Sequence, residues 1–403
     1  MSAFHMIPVS KALKIISRDT KTLGVERVAL EDSIGRVLAE DIVADSDLPP
    51  FDRSQMDGYA VKAADTKDAP VTLKLVGESA AGRGWRKVLK PGEAIRIMTG
   101  AAVPDGADAV QKLEVAREDG SLVTLLEPTE KGRFIVPKGK EVEKDKIVLK
   151  AGERITPANI SIAAAFGYAK VKVAKQPRVA IISTGTEIVD IKKRPGRDQI
   201  RNSNSIMLKA LCEQAGAIAK VYPNVGDDTS DLRSQISDAV RNSDILITTG
   251  GVSVGKYDLT KLALIELGAE IFFERVALKP GKPTVFARLK KSLVFGLPGN
   301  PVSAAVTFYL FVRKAIAMMQ RLQSSQLELA TAIASKDLKS TKERDVYLPS
   351  ALEISDDGLL FVEAVNWHGS SDFIGFSHAD ALAIIPKGSN IQAGDAVYIL
   401  LLP

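Results

Sequence analysis

The sequence has few of the residues that form disulfides or bind transition metals. Its 403 residues include one cysteine, Cys212, and three histidines, His5, His368 and His378. A single cysteine excludes an internal disulfide, and there is no cluster of cysteine and histidine to form a structural zinc site. Any metal that the protein binds is therefore expected to be a hard cation held by carboxylates and phosphate oxygens.

Aromatic residues and long apolar runs are also scarce. Aromatics make up 5% of the chain, and basic and acidic residues are mixed along it with a net charge of +5, so no basic stripe with interleaved aromatics predicts nucleic-acid binding. The longest apolar candidate, 304–319, is interrupted by Arg313 and Lys314 and does not reach the roughly 18 residues of a membrane span. Because the N-terminus also lacks a signal-peptide pattern, we expect a cytoplasmic protein with no nucleic-acid or membrane partner.

What the chain does contain is a change of pattern along its length. Residues 8–24 and 30–41 have helical spacing, and about 59–149 consists of short alternating runs typical of β-strands. From residue 178, apolar strands alternate with amphipathic helices, which predicts a parallel, doubly wound sheet. The tail, about 326–403, returns to short strands and turns, which favours a small β-barrel-like domain.

Three glycine-containing loops follow predicted strands of the α/β region. They are STGTE (183–187), TTGGVSVGKYD (248–258) and GLPGNPVSA (296–304). In an open α/β sheet, ligands bind at the carboxyl ends of the strands. In the third loop, Asn300 is predicted to cap a helix with Pro301 at its first position, so that the positive helix end faces an anion. A tight strand-to-helix turn without a ligand explains the same residues.

The middle loop has a spacing close to that of a phosphate-binding P-loop. Gly250, four further residues and Gly255-Lys256 fit the motif, but Tyr257 stands where it needs serine or threonine to hold magnesium. A P-loop ATPase is therefore not the expected function.

Carboxylates and lysines surround the same loops. Glu187, Asp227 and Asp258 each follow a predicted strand end. Each alone is typical of a solvated or capping residue, but together they predict a magnesium site beside a phosphate-binding crevice. Lys279 and Lys282 flank a Pro-Gly turn, where two ammonium groups either bind a compact oxyanion or are ordinary surface lysines.

Taken in order, these segments resemble the MoeA/gephyrin-E family of molybdenum insertases. The matching stretches are FDRSQMDGYAV (51–61), RIMTGAAVPDGADAV (96–110), ISTGTEIV (182–189), TTGGVSVGKYDLTK (248–261), LKPGKP (278–283) and GLPGNPVSA (296–304). The resemblance implies an α/β multidomain protein. Its parts are an elongated linker domain (1–46 plus 142–176), an inserted β domain (47–141), a central doubly wound α/β domain similar to the molybdopterin adenylyltransferase fold (177–325), and a C-terminal β-barrel-like domain (326–403).

The resemblance also implies the reaction and its setting. Molybdate is inserted into adenylylated molybdopterin with hydrolysis of the pyrophosphate bond, which releases molybdenum cofactor and AMP, and Mg²⁺ assists. The active site of such a protein lies between the subunits of a homodimer, and the molybdopterin adenylyltransferase is a candidate partner. A non-catalytic scaffold of the same fold and a tungstate-specific insertase are the alternatives.

The functional positions of the family carry over residue by residue. The implied catalytic residues are Asp57, Thr99, Glu187, Asp227 and Asp258, of which the last three are also the implied metal ligands. The implied substrate-binding residues are Gly251, Ser253, Gly299, Asn300, Pro301, Ser303, Lys279, Lys282, Arg344 and Ser370, with the lysines at molybdate. The chain departs from the family at Thr186, usually an aspartate, at Val136, usually an arginine, and at Glu141, usually an aspartate.

Overall fold

The computed structural model describes residues 6–226, 228–250, 259–366 and 368–403. Its first part contains α1 (Val9–Asp19), β1 (Val25–Ala29), β2 (Ile42–Val43), β3 (Arg53–Ser54), β4 (Gly58–Val61), β5 (Val71–Ser79), β6 (Glu93–Ile97), β7 (Ala109–Lys112), β8 (Ala116–Asp119), β9 (Leu122–Leu125), β10 (Ile135–Val136), β11 (Ile147–Leu149), α2 (Pro157–Ala165) and β12 (Lys170–Ala174). Strands β4 to β9 form a six-stranded sheet in the order β7-β4-β6-β5-β9-β8. Strand β1 pairs with β12 and β2 with β11. The segments that precede and follow this sheet in the sequence therefore pack together.

The helix predicted for residues 30–41 is not formed, and that prediction was wrong. Only Leu30–Asp32 make a short 3-10 turn. Gly35 has a φ of 73°, a left-handed conformation that ends the helical path. Leu38 then makes a β-bridge with Val173 and is 1% exposed. Strand-like pairing with a distant segment therefore outweighs the local helical spacing.

The middle of the chain forms the predicted doubly wound sheet. Its elements are β13 (Arg178–Ser183), β14 (Ile188–Val189), β15 (Ile200–Arg201), α3 (Ser203–Gln214), β16 (Ile218–Val221), α4 (Thr229–Ala239), β17 (Ile245–Thr249), α5 (Leu259–Glu266), β18 (Glu270–Arg275), β19 (Leu278–Lys279), β20 (Pro283–Leu289), β21 (Ser292–Leu297), α6 (Pro301–Thr307) and α7 (Arg313–Met319). The sheet order is β16-β13-β17-β21-β20-β18. Strands β16, β13, β17 and β21 pair in parallel, whereas β20 pairs antiparallel with both of its neighbours, β21 and β18. Because β20 and β21 are joined by a two-residue turn, they cannot run parallel, which needs a longer crossover.

The apolar strands predicted for this region are buried between two layers of helices. On one face, Ile181, Ile247 and Phe295 belong to a cluster that also contains residues of α3 and of the long helix formed by α6 and α7. On the other face, Ile182 and Leu246 pack in a cluster with residues of α4 and α5. Burial on both faces explains why the strands are continuous apolar runs rather than alternating ones.

Helices α6 and α7 are joined by a π-helical segment, Phe308–Val312, into one helix from Pro301 to Met319. Among the described residues, this is the helix that is long and apolar enough to cross a membrane by length and composition alone. Within the fold, 89% of its apolar window is buried. The core helix of a folded domain has the same property.

The C-terminal part closes into the predicted barrel. Its elements are β22 (Leu329–Ala334), β23 (Leu338–Lys339), β24 (Asp345–Ile354), β25 (Leu360–Ala364), α8 (Phe373–Phe376), β26 (Ala381–Ile385), β27 (Asn390–Ile391) and β28 (Ala396–Leu401). Strands β24, β25, β22, β28 and β26 pair in sequence, and β26 pairs again with β24. Strand β19 adds to this sheet, with Leu278 opposite Asp345 and Lys279 opposite Val346. The lysine-containing turn of the α/β part is thereby attached to the barrel.

Candidate functional site

A cavity of about 220 Å³, named the strand-end cavity, lies at the carboxyl ends of β13, β17 and β21. The lining residues that carried sequence predictions are Glu187, Gly299, Asn300 and Pro301. The first and third glycine-containing loops therefore meet here. The middle loop reaches the cavity with Thr249 and Gly250, while the predicted sites Gly251, Ser253 and Asp258 lie outside the described residues.

Close backbone packing makes one glycine of this cavity necessary. Gly250 has a φ of 88°, and a Cβ on it would lie 2.4 Å from the carbonyl oxygen of Thr184. The parallel register of β13 and β17 causes this approach, because the Thr184 N–H donates to the Thr249 carbonyl at 3.0 Å. A side chain at position 250 would push the two strand ends apart and distort the cavity wall.

Sequence reasoning missed the polar side chains that hold this wall together. Asn204 Nδ2 donates to the Gly299 carbonyl at 2.7 Å and to Thr249 Oγ1 at 3.1 Å. Asn202 Nδ2 donates to Ser183 Oγ at 2.8 Å. The signal in the sequence was RNSNS (201–205) immediately before a predicted helix, a capping pattern that also presents amides to the strand ends.

Two buried polar atoms at the cavity lack a hydrogen-bond partner among the residues that the structure describes. They are Thr184 Oγ1 and Asn204 Oδ1. Buried polar groups are normally satisfied by protein, water or ligand. The strand-end cavity is therefore suited to a polar ligand.

A second cavity of about 520 Å³, named the lysine cavity, adjoins the first at Asn300, which lines both. It brings together six predicted substrate-binding residues: Lys279, Lys282, Asn300, Ser303, Arg344 and Ser370. Among the described residues, none of Lys279, Lys282 and Arg344 forms an ion pair with a carboxylate. Three cations without a countercharge make this cavity attractive to a compact anion.

The lysines are placed by a tight turn that packs directly on the long helix. Gly281 has a φ of 119°, and a Cβ on it would lie 2.5 Å from Thr307 Cγ2 in α6. Its carbonyl accepts a hydrogen bond from Thr284 Oγ1 at 2.7 Å. Because β19 pairs with β24, the same turn lies beside Arg344, which directly precedes β24.

Asn300 and Pro301 occupy the predicted cap and first helical positions, but the predicted use of the Asn300 side chain was wrong. It makes no capping hydrogen bond. Instead, Nδ2 donates to Ser370 Oγ at 2.8 Å and Oδ1 accepts from Ser371 Oγ at 3.2 Å. The Val302 N–H donates to the Ser370 carbonyl at 3.0 Å. The loop of the C-terminal part that contains Ser370 and Ser371, named the barrel loop, therefore provides a hydrogen-bond acceptor for the start of the helix. The Asn300 side chain can then join the α/β part to the barrel.

Asp372 fixes the conformation of this barrel loop. Its carboxylate accepts hydrogen bonds from the N–H of Gly375 at 3.0 Å, the N–H of His368 at 2.9 Å and the Nδ1 of His368 at 3.2 Å. These bonds, the Gly375 amide first, lower the pKa of Asp372 from 3.8 to about 2. A carboxylate that stays ionised in this way holds the loop that carries Ser370.

Asp57 and Thr99 form a pair in the first part of the chain. The Thr99 N–H and hydroxyl both donate to Asp57 Oδ1, at 2.7 and 2.8 Å. The backbone hydrogen bond, the hydroxyl and the charge of Arg96 lower the pKa of Asp57. Both residues are exposed, and neither lines the strand-end or the lysine cavity of its own chain.

Of the three predicted metal ligands, one lies within the described residues. Glu187 is exposed at the strand-end cavity, whereas Asp227 and Asp258 lie outside the described residues. No group of three or more metal-binding side chains occurs among the described residues. The described neighbour Val225 makes a parallel bridge with Thr184, so the segment before position 227 belongs to the same sheet edge. Carboxylate oxygens at such an edge are the ligand type that Mg²⁺ prefers.

Two positions that depart from the family pattern, Glu141 and Val136, both lie beside Arg53 in the first part of the chain. Glu141 Oε1 accepts from Arg53 Nη2 at 2.9 Å. Val136 lies opposite Arg53 in the β10–β3 pair. Neither Glu141 nor Val136 lines the strand-end or lysine cavity of its own chain.

The chain is a multidomain α/β protein with a polar cavity at the strand ends of its central sheet and a cationic cavity beside it. Residues 180–318, which contain that sheet, match the family described as a probable molybdopterin binding domain. Residues 7–167 match the MoeA N-terminal region (domain I and II), and residues 331–402 match the MoeA C-terminal region (domain IV). The chain belongs to the MoeA family, which confirms the resemblance seen in its motifs.

Relatives with this similarity cover nearly the whole chain. A molybdopterin molybdenumtransferase of Bacillus subtilis (strain 168) is 37% identical over 98% of this chain and 94% of its own length. A protein of the same name from Haemophilus influenzae is 35% identical over 97% of this chain and 96% of its own length. The crystal structure of the molybdopterin biosynthesis MoeA protein from Pyrococcus horikoshii OT3 superposes with a TM-score of 0.85 at 31% identity, covering 99% of this chain and 100% of that one.

Proposed function

We propose that the protein inserts molybdate into adenylylated molybdopterin and hydrolyses the pyrophosphate bond, releasing molybdenum cofactor and AMP. The observation that carries this proposal is the pair of adjoining cavities that share Asn300, one polar and at the strand ends, the other cationic. A pterin joined to a nucleotide through phosphates and a compact oxyanion are ligands of these two kinds. The names of the relatives from Bacillus subtilis and Haemophilus influenzae agree with this activity.

In this proposal, molybdate is the substrate that occupies the lysine cavity. Lys279, Lys282 and Arg344 supply the positive charge, and Ser303 and Ser370 supply hydroxyl donors. Charge-assisted hydrogen bonds to a dianion are about twice as strong as those between neutral groups. Since no redox chemistry is needed to hold or position the oxyanion, the scarcity of cysteine and histidine agrees with the proposal.

The strand-end cavity takes the adenylylated pterin. Asn204 and the backbone at Gly299 shape its wall, and the orphaned Thr184 Oγ1 and Asn204 Oδ1 are available to ligand donors. Gly251 and Ser253, in the loop that follows Gly250, are proposed to bind the phosphates. Cleavage of a phosphoanhydride depends on positioning and charge neutralisation more than on a strong nucleophile.

Magnesium is proposed to be held by Glu187 together with Asp227 and Asp258. When bound, the ion would neutralise phosphate oxygens. The contribution of the chain itself is to present carboxylate oxygens at the edge where the pyrophosphate lies and to align the substrate by the hydrogen bonds described above.

The proposal includes a homodimer whose active sites lie between subunits. Asp57 and Thr99 line neither cavity of their own chain, which supports a role across such an interface. We also propose the four-domain division at residues 46/47, 141/142, 176/177 and 325/326, a cytoplasmic location, and the molybdopterin adenylyltransferase as a partner that delivers the substrate.

The test is AMP release from adenylylated molybdopterin with Mg²⁺, measured with molybdate, with tungstate and with neither. Oxyanion-dependent release is expected, and the anion that gives the faster release identifies the natural substrate. If the folded protein binds the pterin but releases no AMP with either anion, the enzymatic proposal is wrong and the non-catalytic scaffold replaces it.

A further inference from the structure

A third cavity, of about 360 Å³, lies away from the two already described. We name it the arginine cavity, because Arg154 and Arg313 line it together with Tyr309, Phe308, Leu211 and Leu322. None of these residues lines the strand-end or lysine cavity. The cavity forms where the segment before α2, the end of α3 and the long helix meet.

The two guanidinium groups in this cavity are half-buried, and the charge of Glu328 acts on Arg313 without forming an ion pair with it. Arg154 is held in place by a hydrogen bond from Nη1 to the Gly35 carbonyl at 2.7 Å. The Nη1 of Arg313 is buried without a hydrogen-bond partner in the described part of the chain. Neither arginine forms an ion pair with a described carboxylate.

Two like charges in one partly buried space are costly unless something neutralises them. Burial lowers the pKa of both arginines, and for Arg313 the neighbouring charge of Arg154 lowers it further. Burial also raises the pKa of Tyr309, so its hydroxyl stays protonated and able to donate. Arg154, Arg313 and Tyr309 therefore offer hydrogen-bond donors to an anion, while Gln214 and Pro403 also line the cavity.

The cavity is also lined by apolar residues and by a distorted part of the long helix. Phe308 and Tyr309 belong to the π-helical segment Phe308–Val312, and Arg313 follows it directly. Segments of π-helix are rare and frequently occur at functional sites. Here the distortion brings an aromatic ring, a phenol and a guanidinium into the same cavity.

We propose that the arginine cavity binds a small organic anion, with its carboxylate or phosphate head between Arg154 and Arg313 and its apolar body against Phe308, Leu211 and Leu322. The planar forks of two guanidiniums match the oxygens of either head group. A cavity of about 360 Å³ is large enough for a body beyond the head group. This inference is independent of the proposed enzymatic function.

The test uses the full-length protein and three probes of similar shape: benzoate, phenyl phosphate and the neutral benzamide. Binding is measured by the shift of the melting temperature and by calorimetric titration. The variants are Arg313→Gln, Arg117→Gln as a matched change of an exposed arginine, and Lys282→Ala, which weakens the lysine cavity.

Benzoate or phenyl phosphate is expected to bind the wild type, Arg117→Gln and Lys282→Ala alike, and at least tenfold more weakly to Arg313→Gln, since a hydrogen-bonded charge pair contributes about a factor of ten or more. The stronger of the two anions identifies the head group. Equal binding of benzamide, loss of binding in Lys282→Ala, or no binding of either anion would each overturn the proposal. If Arg313→Gln does not fold, the comparison of benzoate with benzamide on the wild type still decides.

Discussion

The lysine cavity and the arginine cavity both contact the helix from Pro301 to Met319, but they present positive charge in different ways. Ser303 lines the first and Arg313 borders the second, about 15 Å further along the helix. Lys279 and Lys282 are carried by a turn, Lys279 exposed and Lys282 half-buried like both arginines. An ammonium group is more strongly hydrated than a guanidinium, whose planar fork is pre-organised for its hydrogen bonds. The first cavity thus suits a substrate that must leave, and the second suits a ligand that stays.

The largest effect is expected from Lys282→Ala in the lysine cavity. Loss of one charge-assisted hydrogen bond, worth about 1.5–3 kcal/mol, should lower oxyanion-dependent AMP release by roughly tenfold to a hundredfold. The measurement is AMP release at limiting molybdate, and Lys291→Ala, in the exposed β20–β21 turn, is the control. Activity that is equal in the two variants would remove Lys282 from the oxyanion site.

Substitutions in the arginine cavity should change the free energy of unfolding rather than the rate of turnover. Arg154→Met loses the hydrogen bond to the Gly35 carbonyl, so the free energy of unfolding should fall by about 1–3 kcal/mol. Arg313→Met removes a guanidinium whose buried Nη1 has no hydrogen-bond partner among the described residues and keeps the apolar stem, so the free energy of unfolding should stay the same or rise. Urea unfolding of both variants without added anion measures the difference. Equal destabilisation would mean that Arg313 has a stabilising partner in the protein.

A smaller effect is expected where the barrel loop meets the lysine cavity. Asn300→Ala removes the bonds to Ser370 and Ser371, and a neutral hydrogen bond contributes about 1 kcal/mol. The KM for the oxyanion should rise about fivefold with little change in kcat, because Ser370 would no longer be held at the cavity. Asn242→Ala, at an exposed position, is the control. A fall in kcat with unchanged KM would instead mean that Asn300 acts in the chemical step.

The smallest effect is a pH dependence at Asp372. Its pKa in the folded protein is about 2, below the ordinary 3.8, so the stabilisation it provides is complete above about pH 4 and is lost as the pH falls towards about 2. In Asp372→Asn this part of the acid dependence should disappear, and the melting temperatures of variant and wild type should converge in acid. Parallel curves of melting temperature against pH over that range would show that the pKa of Asp372 is not lowered.

Much of the fold could be predicted from the sequence where the local pattern and the tertiary structure agree. Strands Arg178–Ser183 and Ile245–Thr249 lie in the region where apolar strands were predicted, because strands buried on both faces are continuous apolar runs. The helix at 30–41 failed because its apolar residues pair with a distant strand instead. The antiparallel edge of the central sheet was also missed, since the two-residue turn between β20 and β21 was not weighed.

The candidate site divides in the same way. Four of the six residues of the lysine cavity were chosen from motifs, and Arg344 and Ser370 from the family resemblance. The structure brings all six together from the α/β part and the barrel. The roles proposed for them remain predictions. Asn202 and Asn204 were overlooked because RNSNS predicts only a helix start, and their contacts to the strand ends form through folding. The arginine cavity could not be predicted, because Arg154 and Arg313 become neighbours only through folding.

The π-helical segment Phe308–Val312 carries a consequence for how the long helix can vary in length. A segment of this kind accommodates one residue more than regular α-helix does, and each residue turns an α-helix by about 100°. Deleting a single residue there would let the helix become regular while Arg313 keeps its orientation relative to Ser303, whereas the same deletion in regular α-helix would rotate everything that follows. A chain of this family without that extra residue should therefore keep both cavities.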